Sequence, residues 1–240
     1  MTLEVQYGPE VATVYDSLIS AAMPTEEAVE RLRPYVTGER VLEIGVGTGR
    51  IAAPVAGIAA EVVGVDNSEP MLDEFRAKGV PPNVSLVAAD LRRPLPVDGD
   101  FATAYSTMGS LACVDSREEL IVALGHVHDV LRPGGTLCLE YYATAAYRPL
   151  VEAGVVTVPM PHHGGLTTFT VTLDSADRLT MATRVEEYEG RPAVEFSERI
   201  LLIEREEVEA CLIKAEFSVE RVYQAEDGQP YDWYTARSTR

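Results

Sequence analysis

Apolar residues come in short unbroken blocks through the first 142 positions of the chain and in alternation with polar ones after that. The blocks at 41–44, 62–66, 84–88, 102–106 and 136–140 are too short for buried helices and are separated mostly by segments of helical period. That spacing predicts strands of a parallel sheet covered on both faces. The intervening helices are expected to begin near Gly49, at Glu69 and at Ser116, where "SREEL" predicts a capping box with Glu119 as its third helical residue. The last of them should run to Leu131 and stop at "RPGG", which turns the chain into the fifth strand. Two further amphipathic segments, 10–21 and 26–35, precede the sheet and are split by Pro24 and Thr25.

After Tyr142 the period changes. "TTFTVTL", "RLTMATRVEEYE" and "AVEFSERILLI" alternate as strands, joined by the turn-rich "DSAD" and "EGRP". They predict an antiparallel meander of about three strands. A helix over 205–215 and the strand "FSVERVY" then return to the first pattern. The fold class expected is α/β: a Rossmann-like, doubly wound, mostly parallel sheet with helices on both faces and an antiparallel β-meander inserted after the fifth strand. In these terms 1–38 form an N-terminal helical lid, 39–150 with 205–240 the core, and 155–204 the insertion, as a pocket wall or a dimer contact.

Composition narrows the function. The 240 residues carry 20 basic against 38 acidic side chains, a formal charge of −18, which repels phosphate backbones and argues against nucleic acid. "MTLEVQYGPE" has neither a basic nor an apolar leader region, and no apolar run is long enough to span a bilayer, so a soluble cytosolic protein is expected. The three cysteines, Cys113, Cys138 and Cys211, lack paired spacing, so neither a disulfide framework nor a metal site is expected.

The most specified stretch is "VLEIGVGTGR". Gly45 and Gly47 remove side chains where backbone must approach a ligand, and Gly49 is expected to open a helix whose amides face it. The third glycine comes one residue too early for a dinucleotide loop, with Arg50 in its place, and no Gly-Lys-Ser/Thr follows for a nucleoside triphosphate. Downstream, Asp66 ends the second strand, placed to accept from both hydroxyls of a ribose, and Asp90 ends the third, placed to accept from an exocyclic amine of an adenine over Met71 or Leu91. With Glu43, three consecutive strands end in acids on the edge where open α/β sheets bind ligands.

On these motifs, and on "LRPGGTLCLE" around the fifth strand, the chain resembles the class I S-adenosylmethionine-dependent methyltransferases. The resemblance implies S-adenosylmethionine as cofactor. Glu43, Gly45 and Gly47 would lie against its methionine part, Asp66 on the ribose, Asn67 and Met71 beside the adenine, and Asp90 with the Leu91 amide on the adenine edge. Ser106 would offer its carbonyl to the cofactor amine. That fold ends in an antiparallel hairpin, for which only "DWYTARS" is at hand.

The acceptor is less determined. Methyl transfer from a sulfonium is an in-line displacement that needs alignment and water exclusion, with a base where the acceptor is a hydroxyl or a protonated amine. His162 and His163 ride on the loop before the meander as candidate bases, whereas His126 and His128 read as helix-surface residues. Tyr7 and Tyr15, on the arm and helix before the sheet, either anchor that arm or face the sulfonium and an acceptor amine. This opening resembles natural-product methyltransferases, including those acting on amino groups of sugars and modified peptides. Some of these carry a histidine after the fourth strand where this chain has Cys113. Met108, Cys113, Tyr141, Tyr142, Tyr147 and Trp233 are the candidates for acceptor contact. The expectation is methyl transfer to a small molecule or short peptide, most readily at an amine nitrogen. O-methylation through His162 or His163 and a cofactor-binding protein without catalysis stay open as alternatives, as does a homodimer.

Overall fold

The computed structural model describes residues 7–19, 23–159, 166–187, 190, 193–226 and 229–240; His162 and His163 lie outside these. The chain opens with α1 (Pro9–Ile19) and α2 (Thr25–Val36) and enters the sheet at β1 (Arg40–Ile44). Then follow α3 (Ala52–Ala56), β2 (Glu61–Asp66), α4 (Glu69–Lys78), β3 (Val84–Ala88) and β4 (Phe101–Ser106). A 3₁₀ turn, Ser110–Ala112, leads to α5 (Arg117–Val130) and β5 (Leu131–Tyr142). The second half holds α6 (Thr144–Ala153), β6 (Val155–Pro159), β7 (Leu166–Leu173), β8 (Arg178–Val185), β9 (Val194–Leu201), α7 (Arg205–Lys214), β10 (Phe217–Tyr223) and β11 (Tyr231–Ser238).

Seven strands form the main sheet in the order β10-β11-β5-β4-β1-β2-β3, with β1 to β5 parallel and β11 antiparallel between β5 and β10. "DWYTARS" therefore supplies the closing strand. β1 and β4 are buried almost end to end, as strands covered by helices on both faces must be. The strand order reverses beside β1, between β4 and β2, and opens the crevice where such sheets take their ligands.

Four expectations change. The meander has four strands, β6-β7-β8-β9, because Val155–Pro159 pairs with β7. A helix, α6, intervenes before it. "RPGG" does not end the helix and wait for a strand: α5 stops at Val130 and β5 begins at once, with Gly134 at φ +69° and the register against β4 slipping between Phe101 and Thr103. The helix expected near Gly49 starts only at Ala52. Ser116 does cap α5, accepting from the Glu119 amide at 3.2 Å, while the Glu119 carboxylate returns to the Asp115 amide at 3.0 Å.

The two sheets share one core. Val171, Leu179, Ile200 and Leu201 of the insertion pack with Tyr141, Tyr147 and Leu139 of the main sheet side, and the Tyr141 hydroxyl donates to the Leu201 carbonyl at 2.8 Å. A second apolar cluster joins α2 to the opposite face through Leu32, Val36, Val41, Phe75 and Trp233. His128 is buried too, edge-on to Phe217 and 3.0 Å from the Ser238 hydroxyl, so it is a core residue and not the surface histidine its helix suggested. No helix among the described residues is long and apolar enough to cross a membrane.

Candidate active site

The crevice holds a cavity of 270 Å³ that reaches from the strand ends of β1 to β4 to α1 and β9. Of the residues picked from the sequence, Tyr7, Tyr15, Glu43, Gly45, Gly47, Asp66, Asn67, Met71, Asp90, Leu91, Met108 and Cys113 line it. Gly49, Ser106, Tyr141, Tyr142, Tyr147 and Trp233 do not.

The glycines divide by purpose. Gly45, Gly47 and Gly49 all have positive φ, at +71°, +52° and +80°. A Cβ on Gly47 would meet nothing within 4 Å and would occupy the cavity, so this glycine makes room for a ligand. A Cβ on Gly45 would strike the Ser110 side chain at 2.2 Å, and one on Gly49 the Phe75 ring at 2.4 Å. Gly49 therefore seats the turn on α4, and its own amide donates to the Val46 carbonyl at 2.9 Å.

Asp66 ends β2 with one oxygen accepting from the Gly47 amide and the other from the Ser68 amide, each at 2.8 Å. Burial raises its pKa, with the amide hydrogen bonds opposing. Each oxygen keeps a lone pair, so the carboxylate can take two hydroxyls while bracing the glycine loop. Asp90 meets the Arg92 amide at 3.1 Å and the Arg92 guanidinium at 3.0 Å through a single oxygen. Burial alone would raise Asp90, but those bonds outweigh it and hold the carboxyl low, an acceptor at any physiological pH. The Leu91 carbonyl beside it is 2.9 Å from His126 Nδ1, which fixes the loop from α5.

Glu43 is buried at the end of β1 and accepts the Tyr105 hydroxyl at 2.8 Å. Desolvation pushes its pKa up to about 8, with the Tyr105 bond and Arg50 opposing. A cation placed here would convert it to the carboxylate.

Three contributors were not singled out in the sequence. Arg50, noted only for standing where a third glycine was wanted, lines the cavity and hydrogen-bonds the Met23 carbonyl at 3.0 Å, Thr25 Oγ1 at 3.1 Å and Met108 Sδ at 2.8 Å. Glu140, at the end of β5, accepts the Met108 amide at 2.7 Å and so holds Met108 in its left-handed conformation, φ +55°. Glu198, on β9, accepts the Tyr7 hydroxyl. The alternation of "VEFSERIL" contains a signal for it: Glu198 falls in the apolar phase of its strand, with Val194, Phe196 and Ile200.

At the end of the cavity formed by α1 and β9, the Tyr7 and Tyr15 rings meet edge to face at 5.5 Å, and Tyr7 packs on Phe196 at 6.0 Å. The Tyr7 carbonyl takes the Ser68 hydroxyl at 2.7 Å, so the arm is tied to the N-terminus of α4. Tyr142, Tyr147 and Tyr231 cluster behind the loop after β4, with Tyr142 at 4.9 Å and 5.0 Å from the other two rings. A Cβ on Gly109 would lie 2.2 Å from the Tyr142 ring, which places that tyrosine beneath the loop as a support. Trp233 is core, in the cluster under α2, and Ser106 is fully buried with its hydroxyl unpartnered, so the cavity wall begins one residue later at Thr107.

Residues 41–135 match the family model described as a methyltransferase domain. The chain is 30% identical to the cypemycin N-terminal methyltransferase of a Streptomyces species over 168 residues, 70% of this chain and 67% of that one. Against other curated methyltransferase relatives the match spans 44% to 60% of the relative. Among solved structures, the CcbJ methyltransferase from Streptomyces caelestis superposes with a TM-score of 0.86 at 25% identity, covering 100% of both chains. S-adenosylmethionine-bound CalS10, an amino pentose methyltransferase from Micromonospora echinaspora, superposes at 0.72 with 19% identity, again over 100% of both. The chain belongs to the methyltransferases, and it is an S-adenosylmethionine-dependent member of them. The site fits that cofactor: Gly47 leaves room, Asp66 and Asp90 offer the right acceptors, and Glu43 supplies latent negative charge for a cation. When bound, S-adenosylmethionine supplies a methyl group on an electrophilic sulfonium.

Proposed function

We propose that the protein methylates an amine nitrogen of a small natural product or short peptide. The observation that carries this is the α1 and β9 end of the cavity, where Tyr7 and Tyr15 present aromatic faces and hydroxyls beside the half-buried carboxylate of Glu198. Aromatic faces and a carboxylate favour a cation over a neutral hydroxyl. The names of the relatives agree, since one is an N-terminal methyltransferase of cypemycin and another an amino pentose methyltransferase.

In this reading Asp66 and Asp90 hold the nucleoside end, the Glu43 carboxyl and the Arg50 guanidinium flank the methionine end, and Met108 and Cys113 shape the gap toward Tyr7. The residues 1–38 act as the lid and 155–204 as the far wall of the acceptor pocket. Displacement then needs a neutral nitrogen lone pair in line with the methyl–sulfur bond and little water between them.

The test is a panel of amines, each paired with the alcohol of the same carbon skeleton, incubated with the cofactor and read by mass spectrometry for gain of one methylene mass. Methylation of amines over their alcohols is expected; the reverse preference sinks the amine reading. A Tyr15→Phe variant should lose turnover on a methylated amine more than affinity for S-adenosylhomocysteine, and unchanged turnover would remove Tyr15 from the acceptor site.

A further inference from the structure

Among the described residues, Glu198 stands in the apolar phase of β9 and reaches the N-terminal arm, and an ionisable group in that phase is costly unless something answers it. Two residues of the same phase, Phe196 and Glu198, meet Tyr7, the first by ring contact at 6.0 Å and the second by accepting its hydroxyl hydrogen. The cavity is lined by Ser197 and Arg199 on either side in sequence, so Glu198 communicates with it through the Tyr7 hydroxyl.

Among the described residues, titratable groups that interact with Glu198 come from several elements. They are Tyr7 on the arm and Tyr15 on α1, Cys113 after the 3₁₀ turn, Tyr142 on β5, Tyr147 on α6 and Tyr231 on β11. Desolvation raises the pKa of each, so all are neutral near pH 7. Among the described residues none of these six is a cation, although the guanidiniums of Arg50 and Arg199 line the same cavity. A carboxylate surrounded by phenols and a thiol has the surroundings of a site completed by a positively charged ligand.

We propose that Glu198 is the proton acceptor behind Tyr7, a positioning residue that strips an incoming ammonium of its proton through the tyrosine hydroxyl. The acceptor nitrogen donates its N–H to Tyr7 Oη. As that N–H bond breaks and an O–H bond forms at Tyr7, the original tyrosine hydrogen passes to Glu198 Oε1. The products are a neutral amine with a free lone pair, an intact tyrosine and a neutral Glu198. The lone pair then forms the new N–C bond while the C–S electron pair leaves with sulfur. Charge and atoms balance without a further reactant. This role replaces the base that a histidine at Cys113 would have supplied, and it rests on the amine reading above.

Two measurements test it. The first needs no acceptor: the isotope-labelled Glu198 carboxyl resonance, assigned by its loss in Glu198→Gln or its move in Glu198→Asp, is titrated by NMR in wild type and in Tyr7→Phe. Burial raises Glu198 and the Tyr7 bond opposes that rise, so the titration should move to still higher pH in Tyr7→Phe. An unchanged midpoint means that the pair is not formed and overturns the proposal. The second uses an amine that the panel shows to be methylated. Glu198→Gln should lower kcat about 100-fold at neutral pH. The deficit should shrink as pH rises above the amine's own pKa, where no proton need be removed, and S-adenosylhomocysteine affinity should stay within about 2-fold. A deficit of the same size at every pH marks a packing role and overturns the relay. Methylation of the alcohols alone would overturn the amine reading and the relay together, while the titration would still report whether Tyr7 and Glu198 are paired.

Discussion

The two ends of the cavity are built differently. At the cofactor end, β1, β2 and β3 each deliver an acid or a glycine from the same sheet edge, and the bonds that hold them are largely to backbone: Gly47 and Ser68 amides on Asp66, the Arg92 amide on Asp90. At the acceptor end the contacts are side chain to side chain across long stretches of chain, as when Tyr7 meets Glu198, 191 residues away. Backbone bonds at strand ends are imposed by the fold, so that end tolerates little change. Side-chain contacts between an arm and an inserted sheet can be rewritten without disturbing the core, which suits the acceptor-selecting role proposed for that end.

The largest effect expected is at Glu43. Its carboxyl titrates at about 8 in the folded chain against an ordinary 4.5, so the native state binds more protons than the unfolded state between those values. Stability conferred through this group is therefore present at low pH and is lost as pH rises from about 4.5 through about 8. Glu43→Gln should leave stability near wild type at acid pH and exceed it by on the order of 5 kcal/mol above the window, read from urea melts at both extremes. A gap that does not grow with pH would show that Glu43 is not held protonated. Cofactor binding beside Glu43 should release a proton near neutrality, visible as a dependence of the calorimetric heat on the buffer's ionisation enthalpy.

Gly49 and Gly47 separate packing from binding within one loop. Gly49→Ala combines a left-handed backbone with a Cβ driven into Phe75 and should cost about 3 kcal/mol of stability. Gly47→Ala bears only the backbone strain, about 1 to 2 kcal/mol, but its methyl group enters the cavity, so S-adenosylhomocysteine affinity should fall further than stability does. Equal losses of stability in the two variants would erase the distinction. Next in size, Asp66→Asn should weaken S-adenosylhomocysteine by about 2 kcal/mol, roughly 30-fold, because a neutral amide replaces charge-assisted acceptors.

The same difference explains what could be read from the chain. The parallel strands, the glycine loop and the acids at 43, 66 and 90 were legible because strand, turn and ligand contact are specified within a few consecutive residues. The 84–88 strand is found at Val84–Ala88 to the residue. Tyr141 and Trp233 looked like pocket aromatics because they flank the sheet edge, but strand alternation turns both into core. Glu198 stands out in the sequence only as an acid in the apolar phase of "VEFSERIL"; what it answers is Tyr7, 191 residues away, and that pairing is not written in the strand. The fourth meander strand is not legible in the sequence because "VVTVP" is short and borders a Pro-rich segment, and its partner β7 is what identifies it. Arg50 was visible as a departure from one glycine pattern, yet its contacts with Met23, Thr25 and Met108 depend on how α2 folds back.

The smallest effect probes how the insertion is attached. Arg117, at the start of α5, is held between Asp177 on the β7–β8 turn and Glu207 on α7, with its side chain about one-third exposed. Pairs this accessible are screened by solvent, and a single one contributes at most about 1 kcal/mol. Asp177→Asn should therefore lower stability by no more than about 1 kcal/mol, and the loss should fade in high salt. The informative comparison is with function. If the insertion is a wall of the acceptor pocket, loosening its hinge at Asp177 should raise the KM for a methylated acceptor while S-adenosylhomocysteine affinity holds, because no cofactor contact involves this turn. A KM that does not move would detach the insertion from acceptor binding and leave the pocket to the arm and the loop after β4.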